Sequence, residues 1–465
     1  MRRTVFSAPS APTPTHADGD GMPPRLEGGL PFLGHSLEFR TNPVSLMARA
    51  RERHGDVVTL TMPGANAVVM TGTRAQEKFF RLSDEDVSQA EAYRLMTPIF
   101  GEGIAYDAPP PIMKEQLSFF HDALREARMR TYAQGFIDEA EQYFSSWDDF
   151  GCVDMYDVGN ELTIYTSSRS LLGVEFRNQL SGEFAKLYQD MEGGLSALAF
   201  LAPNLPTPAF RKRDKARARM VELITDIVED RRRRNISGDD MLQALMDATY
   251  KDGRKLSENE ITGLLLTIMF AGHHTSGVTF SWMGILLAQH PEWVAELRQE
   301  QAEVRGDRAE LTLEDLRAMP KLEATIKEVL RMYPPIIVVM RKVVNDFEFG
   351  GYRIPHGTML FASPAVSHYI PELFPEPTRF DPTRFLAPTS ADKKHPMGWL
   401  PFGAGRHRCM GIMFAQLQLR ALWSHLLRNF DFETVQGEVY EPDYARLLVG
   451  PRHPCRLRYR RRSMA

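Results

Sequence analysis

Residues 401–411, Pro-Phe-Gly-Ala-Gly-Arg-His-Arg-Cys-Met-Gly, constrain this chain more than any other stretch, because they set one cysteine in a glycine-punctuated loop crowded with basic side chains. Gly403 and Gly405 permit a tight backbone path that residues carrying a Cβ resist. The apolar-periodic stretch 412–427 follows at once, so the positive end of a helix dipole comes close to the Cys409 sulfur, and Arg406 and Arg408 add positive charge. Both effects favour thiolate over thiol. A thiolate in a dry loop backed by cations suits an axial haem ligand, with the cations near the haem carboxylates.

The rest of the composition is ordinary. Of the 465 residues, 43% are hydrophobic and 25% charged, which describes a globular protein with a large core. A net charge of −4 gives no reason to expect nucleic acid. The three cysteines, Cys152, Cys409 and Cys455, are too few and too scattered for a disulfide framework or a zinc cluster. Residues 1–27 are rich in Pro, Ala, Ser and Thr and read as a flexible leader; they contain no apolar run of the ~20 residues that a membrane anchor needs.

From residue 28 onward a single domain is expected. A short helix over 46–53 precedes two β-prone runs, 57–63 and 67–71, that read as a strand pair. Residues 93–107 form an apolar loop broken by glycine and proline, and several helical periods follow from 112 to about 180, interrupted near Gly151. Residues 195–210 read as a second apolar loop, then helices over 211–234 and 239–249. Residues 257–289 are long and apolar, with Gly263, Gly272 and Gly277 expected to interrupt them. Residues 311–333 read as a helix, 343–361 as a small sheet, and 439–460 as strands ending in a basic tail. Many helices, few strands and no βαβ alternation predict a mainly α fold with small β-sheets, in the α+β class.

Two further constellations carry chemistry. Glu328 and Arg331 stand three apart on one helix face, and Pro-Thr-Arg-Phe at 382–385 adds Arg384. Residues 269–276, Met-Phe-Ala-Gly-His-His-Thr-Ser, lie in the middle of the long apolar stretch. Small residues at 271 and 272 let a flat ring approach, an interrupted helix opens a pocket for dioxygen, and the Thr275 hydroxyl is placed to pass protons. Paired histidines also raise zinc, but neighbours on a helix point to different faces and no carboxylate stands at ligand spacing.

The cysteine loop, with the Glu-x-x-Arg and Pro-x-Arg-Phe motifs, resembles the cytochrome P450 superfamily, with His407 where arginine is commoner. Phe270–Ser276 and the loop Tyr-Arg-Leu-Met-Thr-Pro-Ile-Phe-Gly-Glu-Gly-Ile-Ala-Tyr-Asp at 93–107 further resemble the sterol 14α-demethylases, with Ile104 in place of valine. The resemblance implies one haem domain over residues 28–465, with haem b buried between the long central helix and the Cys409 loop. Cys409 would be the axial ligand to iron, with Phe402 beside it. Tyr93, Tyr106, Lys114, Arg341 and His407 would contact the haem propionates. Leu95, Met96, Phe100, Phe270, Ala271, Ile337, Val338 and Leu448, together with Thr275, would line the sterol cavity. Residues 190–194, Asp-Met-Glu-Gly-Gly, resemble the family's acidic segment, making Glu192 the partner of His274 in a proton path to Thr275. Glu328, Arg331 and Arg384 would be the structural triad beneath the cysteine loop.

The implied reaction is removal of the 14α-methyl group in three dioxygen-dependent steps, releasing formate. An aliphatic residue at 95 implies a lanosterol-type, 4,4-dimethyl substrate. No flavin motif or iron–sulfur cysteine set is present in the sequence, so electrons from NAD(P)H are expected through a ferredoxin and its reductase, with Arg406 and Arg408 suited to an acidic partner. Azole inhibitors would ligate the iron. The soluble, bacterial type of the family implies a cytoplasmic monomer without a membrane anchor. The alternatives are a P450 monooxygenase acting on another lipid, a fatty acid or a terpene, and a non-catalytic haem- or lipid-binding protein.

Overall fold

A computed structural model describes residues 21–463 apart from 64, 122, 174–176, 178–180, 196–198, 200–201, 239, 307 and 309–310. The chain divides into two compact units, each drawn from three stretches of sequence: residues 1–92, 327–409 and 442–449 in one, and 93–326, 410–441 and 450–465 in the other.

The first unit is built on a five-stranded sheet. Val57–Met62 pairs antiparallel with Ala65–Met70, which runs parallel to Met359–Ala362; Val339–Val343 and Val87–Ser88 complete it. The β-branched and apolar residues of these segments fill a core with Val68, Met70, Phe79, Ile354, Leu360 and Leu400. Phe347–Phe349 and Tyr352–Ile354 form a separate hairpin. Residues 22–27, assigned to the leader from sequence, belong to this unit instead. Met22 and Leu26 are buried, and the Leu26 amide donates to Thr59 O at 2.9 Å. Two buried apolar side chains and a strand-edge hydrogen bond offset the entropy of ordering the segment. The remainder of the expected leader, 1–20, lies outside the described residues.

The second unit is helical around Glu258–Gln289, 32 residues long and started by a capping box between Ser257 and Glu260. The expected interruption does not occur: the helix is continuous through all three glycines. Each glycine costs about 1 kcal/mol of helix propensity, and close packing accounts for two of them. A Cβ on Gly263 would sit 2.1 Å from Phe100 O, and one on Gly277 would meet Asn160 Oδ1 at 3.0 Å on the neighbouring helix Met155–Ser167. Gly272 has no such neighbour; its nearest is Leu171 Cδ1 at 3.5 Å. A three-stranded sheet of Phe150–Asp154, Arg456–Arg461 and Phe430–Thr434 flanks this unit. Residues 439–455, read as strands, form no sheet strand; pairing begins at Arg456. No described helix is long and apolar enough to cross a membrane.

Candidate functional site

Helix Glu258–Gln289 is buried along most of its length, yet its middle is open on one face. Ala271 is exposed and Thr267, Gly272 and Thr275 are half-buried, while His273, His274 and Ser276 are buried on the other side. Spacings of four, five and eight residues place the open positions on one stripe. The Thr275 hydroxyl donates to Ala271 O at 2.7 Å, which holds it on that stripe. A Cβ on Gly272 would meet Leu171 Cδ1 at 3.5 Å and Phe414 Cε1 at 4.0 Å, ordinary contact distances.

The structure brings His274 and Glu192 together. Nε2 of His274 meets Oε1 of Glu192, the last residue of helix Ser181–Glu192. Asp190, two residues earlier, pairs instead with Lys186 and Lys212, and their hydrogen bonds lower its pKa. Tyr188, one turn before Glu192, packs against Phe270 at 4.5 Å and stacks on His274 at 5.4 Å. Burial pushes its phenol well above the usual range, with the Glu192 charge adding to the effect. His273 lies beside His274, its Nδ1 2.9 Å from Thr163 Oγ1. That hydroxyl also donates to Gly159 O at 2.7 Å, so it accepts from a neutral His273 protonated on Nδ1. Burial first, and the charge of His274 second, hold His273 well below the ordinary histidine range.

In the same unit Tyr93 and Tyr106 stack with centroids 5.2 Å apart. Leu95, Met96 and Phe100 are buried, and Phe100 packs edge-on against Phe270 at 5.7 Å. Lys114 is exposed on helix Pro110–Ser118. The 93–107 segment folds into three short helical turns rather than an open loop. Asp107 accepts from Thr97 Oγ1 at 3.0 Å and Gly103 N at 2.8 Å, and Gln116 holds the Gly103 carbonyl and the Ala105 amide.

The first unit carries the cysteine loop. The Cys409 amide donates to Phe402 O at 3.0 Å, the Gly403 amide donates to Leu400 O at 3.1 Å, and the Cys409 side chain is exposed. Gly405 has φ +68°, and a Cβ there would lie 2.3 Å from Phe80 O, so the loop is seated on that carbonyl. Phe402 packs against Trp399 at 5.9 Å. His407 Nε2 lies 2.7 Å from Asp84 Oδ1, and Arg406 contacts the same carboxylate at 3.4 Å. Burial lowers the His407 pKa, against the pull of Asp84, so the neutral ring spends its one N–H on Asp84. Arg341 is buried and donates to Met340 O at 2.7 Å.

Beneath the loop, Glu328, Arg331 and Arg384 form one buried network. Arg331 Nε and Nη2 reach the two Glu328 oxygens at 2.7 and 2.9 Å, and Arg384 Nε reaches Oε1 at 3.1 Å. The guanidiniums also donate to His368 O and Pro375 O, each at 3.0 Å, which pins the segment leading to Cys409. Ile337, Val338 and Leu448 are half-buried in this unit. Their segments are joined where the Val449 amide donates to Pro335 O at 2.9 Å.

These residues suit haem. An exposed sulfur, the buried Arg341 guanidinium and the half-buried side chains of Ile337, Val338 and Leu448 could supply an axial sulfur ligand, a carboxylate partner and apolar walls. Sequence reasoning overlooked Tyr188, although its spacing of four from Glu192 was visible. It also overlooked Asp84 and Thr163, which no local signal marks.

Residues 23–457 match the family model described as Cytochrome P450. The chain is 43% identical over 444 residues to the sterol 14alpha-demethylase of Mycolicibacterium vanbaalenii, covering 94% of this chain and 98% of that protein. It is 37% identical to the lanosterol 14-alpha demethylase of Homo sapiens, covering 96% and 88%. A solved structure titled retinoic acid bound cyanobacterial CYP120A1 superposes with a TM-score of 0.85 at 25% identity, covering 96% of this chain and 100% of that one.

Proposed function

We propose that this chain, which belongs to the cytochrome P450 family and within it to the sterol 14α-demethylases, removes the 14α-methyl group of a lanosterol-type sterol with Cys409 as its haem ligand. When bound, the haem supplies the oxygen chemistry. Each of three turnovers uses one dioxygen and two electrons, carrying the methyl through alcohol and aldehyde to formate and leaving a Δ14 double bond. This chain's residues position and protonate. Arg341, Tyr93, Tyr106, Lys114 and His407 would anchor the propionates, with His407 giving up Asp84 or taking a second proton to do so. Leu95, Met96, Phe100, Phe270, Ala271, Ile337, Val338 and Leu448 make the apolar walls a rigid tetracyclic sterol requires.

The contact between His274 and Glu192 supports the reading most directly. A carboxylate at a helix end, half-buried, joined to a histidine next to Thr275, offers a proton route from solvent to the open stripe of the helix. Electrons come from a ferredoxin and its reductase, azoles bind through the iron, and the enzyme works as a cytoplasmic monomer. The reading is tested by optical titration of haem-loaded protein. A low- to high-spin shift that saturates with lanosterol and not with a long fatty acid supports it, with the 4,4-dimethyl sterol ahead of a 4-monomethyl one if Leu95 sets the preference. A shift with the fatty acid alone assigns the enzyme to another lipid.

A further inference from the structure

Segment 97–104 is tied at its two ends, Thr97 and Gly103, to Asp107 and Gln116, and its middle needs a further partner. Its helix Thr97–Phe100 is four residues long and ends with carbonyls that no following turn receives. The structure assigns that task to Arg217, in the N-terminal half of helix Pro208–Arg234: we propose that Arg217 is the positioning residue that fixes Phe100 and its neighbours against the substrate. Its Nε donates to Ile99 O at 2.9 Å and its Nη2 to Phe100 O at 3.1 Å, with Nη2 also 2.8 Å from Asn259 Oδ1 in the first turn of helix Glu258–Gln289. One guanidinium therefore caps the short helix and ties it to two long ones.

The backbone is cut to receive this side chain. Gly101 has φ +111°, and a Cβ there would lie 2.5 Å from Arg217 Nη2. Gly263 lets Phe100 O approach from the other side. The same carbonyl is thus wedged between a cation and a bare patch of helix, while the Phe100 ring meets Phe270. Arg217 also borders a cleft of about 500 Å³ lined by three carboxylates, Glu102, Asp107 and Asp214, and by two further guanidiniums, Arg94 and Arg213.

The proposal rests on the reading of Phe100 as a substrate contact, and its test separates the two. In haem-loaded, ligand-free enzyme, Arg217→Ala should speed amide exchange over residues 99–105 about tenfold to a hundredfold, the loss of charge-assisted hydrogen bonds. Exchange in the core of helix Glu258–Gln289 and the carbon monoxide difference spectrum should stay as in the parent. Arg217→Lys, which keeps the charge but reaches one carbonyl, should fall between. Lanosterol should leave Arg217→Ala faster by a similar factor, raising KM more than it changes kcat. Gly101→Ala attacks the same contact from the loop side, so the double variant should show less than the sum of the two single effects. Unchanged exchange over 99–105, or strictly additive effects in the double variant, overturns the proposal. Faster exchange without any lanosterol binding in the parent leaves the latch standing and removes the sterol reading instead.

Discussion

Glu192 closes the C-terminal end of its helix on the imidazole of His274, so a carboxylate accessible to solvent touches the residue that precedes Thr275. Glu192→Gln keeps the shape and removes the proton carrier. Turnover should fall about a hundredfold, the low end of a general acid–base contribution, while the optical titration with lanosterol stays within about twofold. Loss of binding together with turnover would show that Glu192 only shapes the cavity.

The buried triad is expected to set stability rather than chemistry. Glu328→Ala would leave two guanidiniums, both nearly inaccessible, without their carboxylate. Removing one partner of a buried ion pair costs about 3–5 kcal/mol. Thermal denaturation of the apo- and haem-loaded protein should show the loss, and the carbon monoxide difference band should weaken with it. A normal band in a protein of unchanged melting temperature would mean that the network does not hold the Cys409 segment.

The cysteine loop should reject a single methyl group at its seat. Gly405→Ala adds a Cβ 2.3 Å from Phe80 O in a left-handed conformation that alone costs about 1–2 kcal/mol. The loop has to lift, and haem retention measured by the ratio of Soret to protein absorbance should drop at least severalfold. Gly398→Ala, where the nearest atom is 3.2 Å away and no positive φ is required, should retain haem.

Acid should unfold the first unit early. His368 is buried with Nδ1 on Arg331 O and Nε2 accepting from the Leu400 amide, and burial, then the Arg331 charge, push its pKa down to about 3. A depressed folded pKa means that the unfolded chain binds the extra proton first, so stability is full above about 6.5 and declines as pH falls toward 3. The slope from this residue is about 1.4 kcal/mol per pH unit within that window. His368→Gln, which keeps both hydrogen-bonding roles without the titration, should flatten the denaturation midpoint against pH between 6 and 4. An unchanged slope would assign acid lability elsewhere, with His425, lowered by burial to about 4, as the next residue to replace.

What the sequence revealed divides along contact range. The Cys409 loop, the Glu328–Arg331 pair and the stretch Phe270–Ser276 are local motifs, so residue type and spacing alone located them. Helix Glu258–Gln289 was legible from its apolar length, while its Ser257–Glu260 capping box emerged only from the structure. Its continuity was not, because Gly263 and Gly277 read as breaks until the backbones they admit are seen. The partnership of His407 with Asp84 spans 323 residues and that of Arg217 with Ile99 spans 118, and no periodicity encodes either. Strand Phe430–Thr434 follows helix Ile412–Asn429 without a turn signal, which hid it among apolar helical residues.

The central claim is that this chain demethylates a sterol, and product analysis tests it most directly. Haem-loaded protein with a ferredoxin, its reductase, NADPH and lanosterol should yield the 14-desmethyl Δ14 sterol by gas chromatography–mass spectrometry, with one formate per sterol converted. Intact lanosterol, in a mixture that hydroxylates a fatty acid or terpene, would contradict the account and leave a P450 monooxygenase of different substrate.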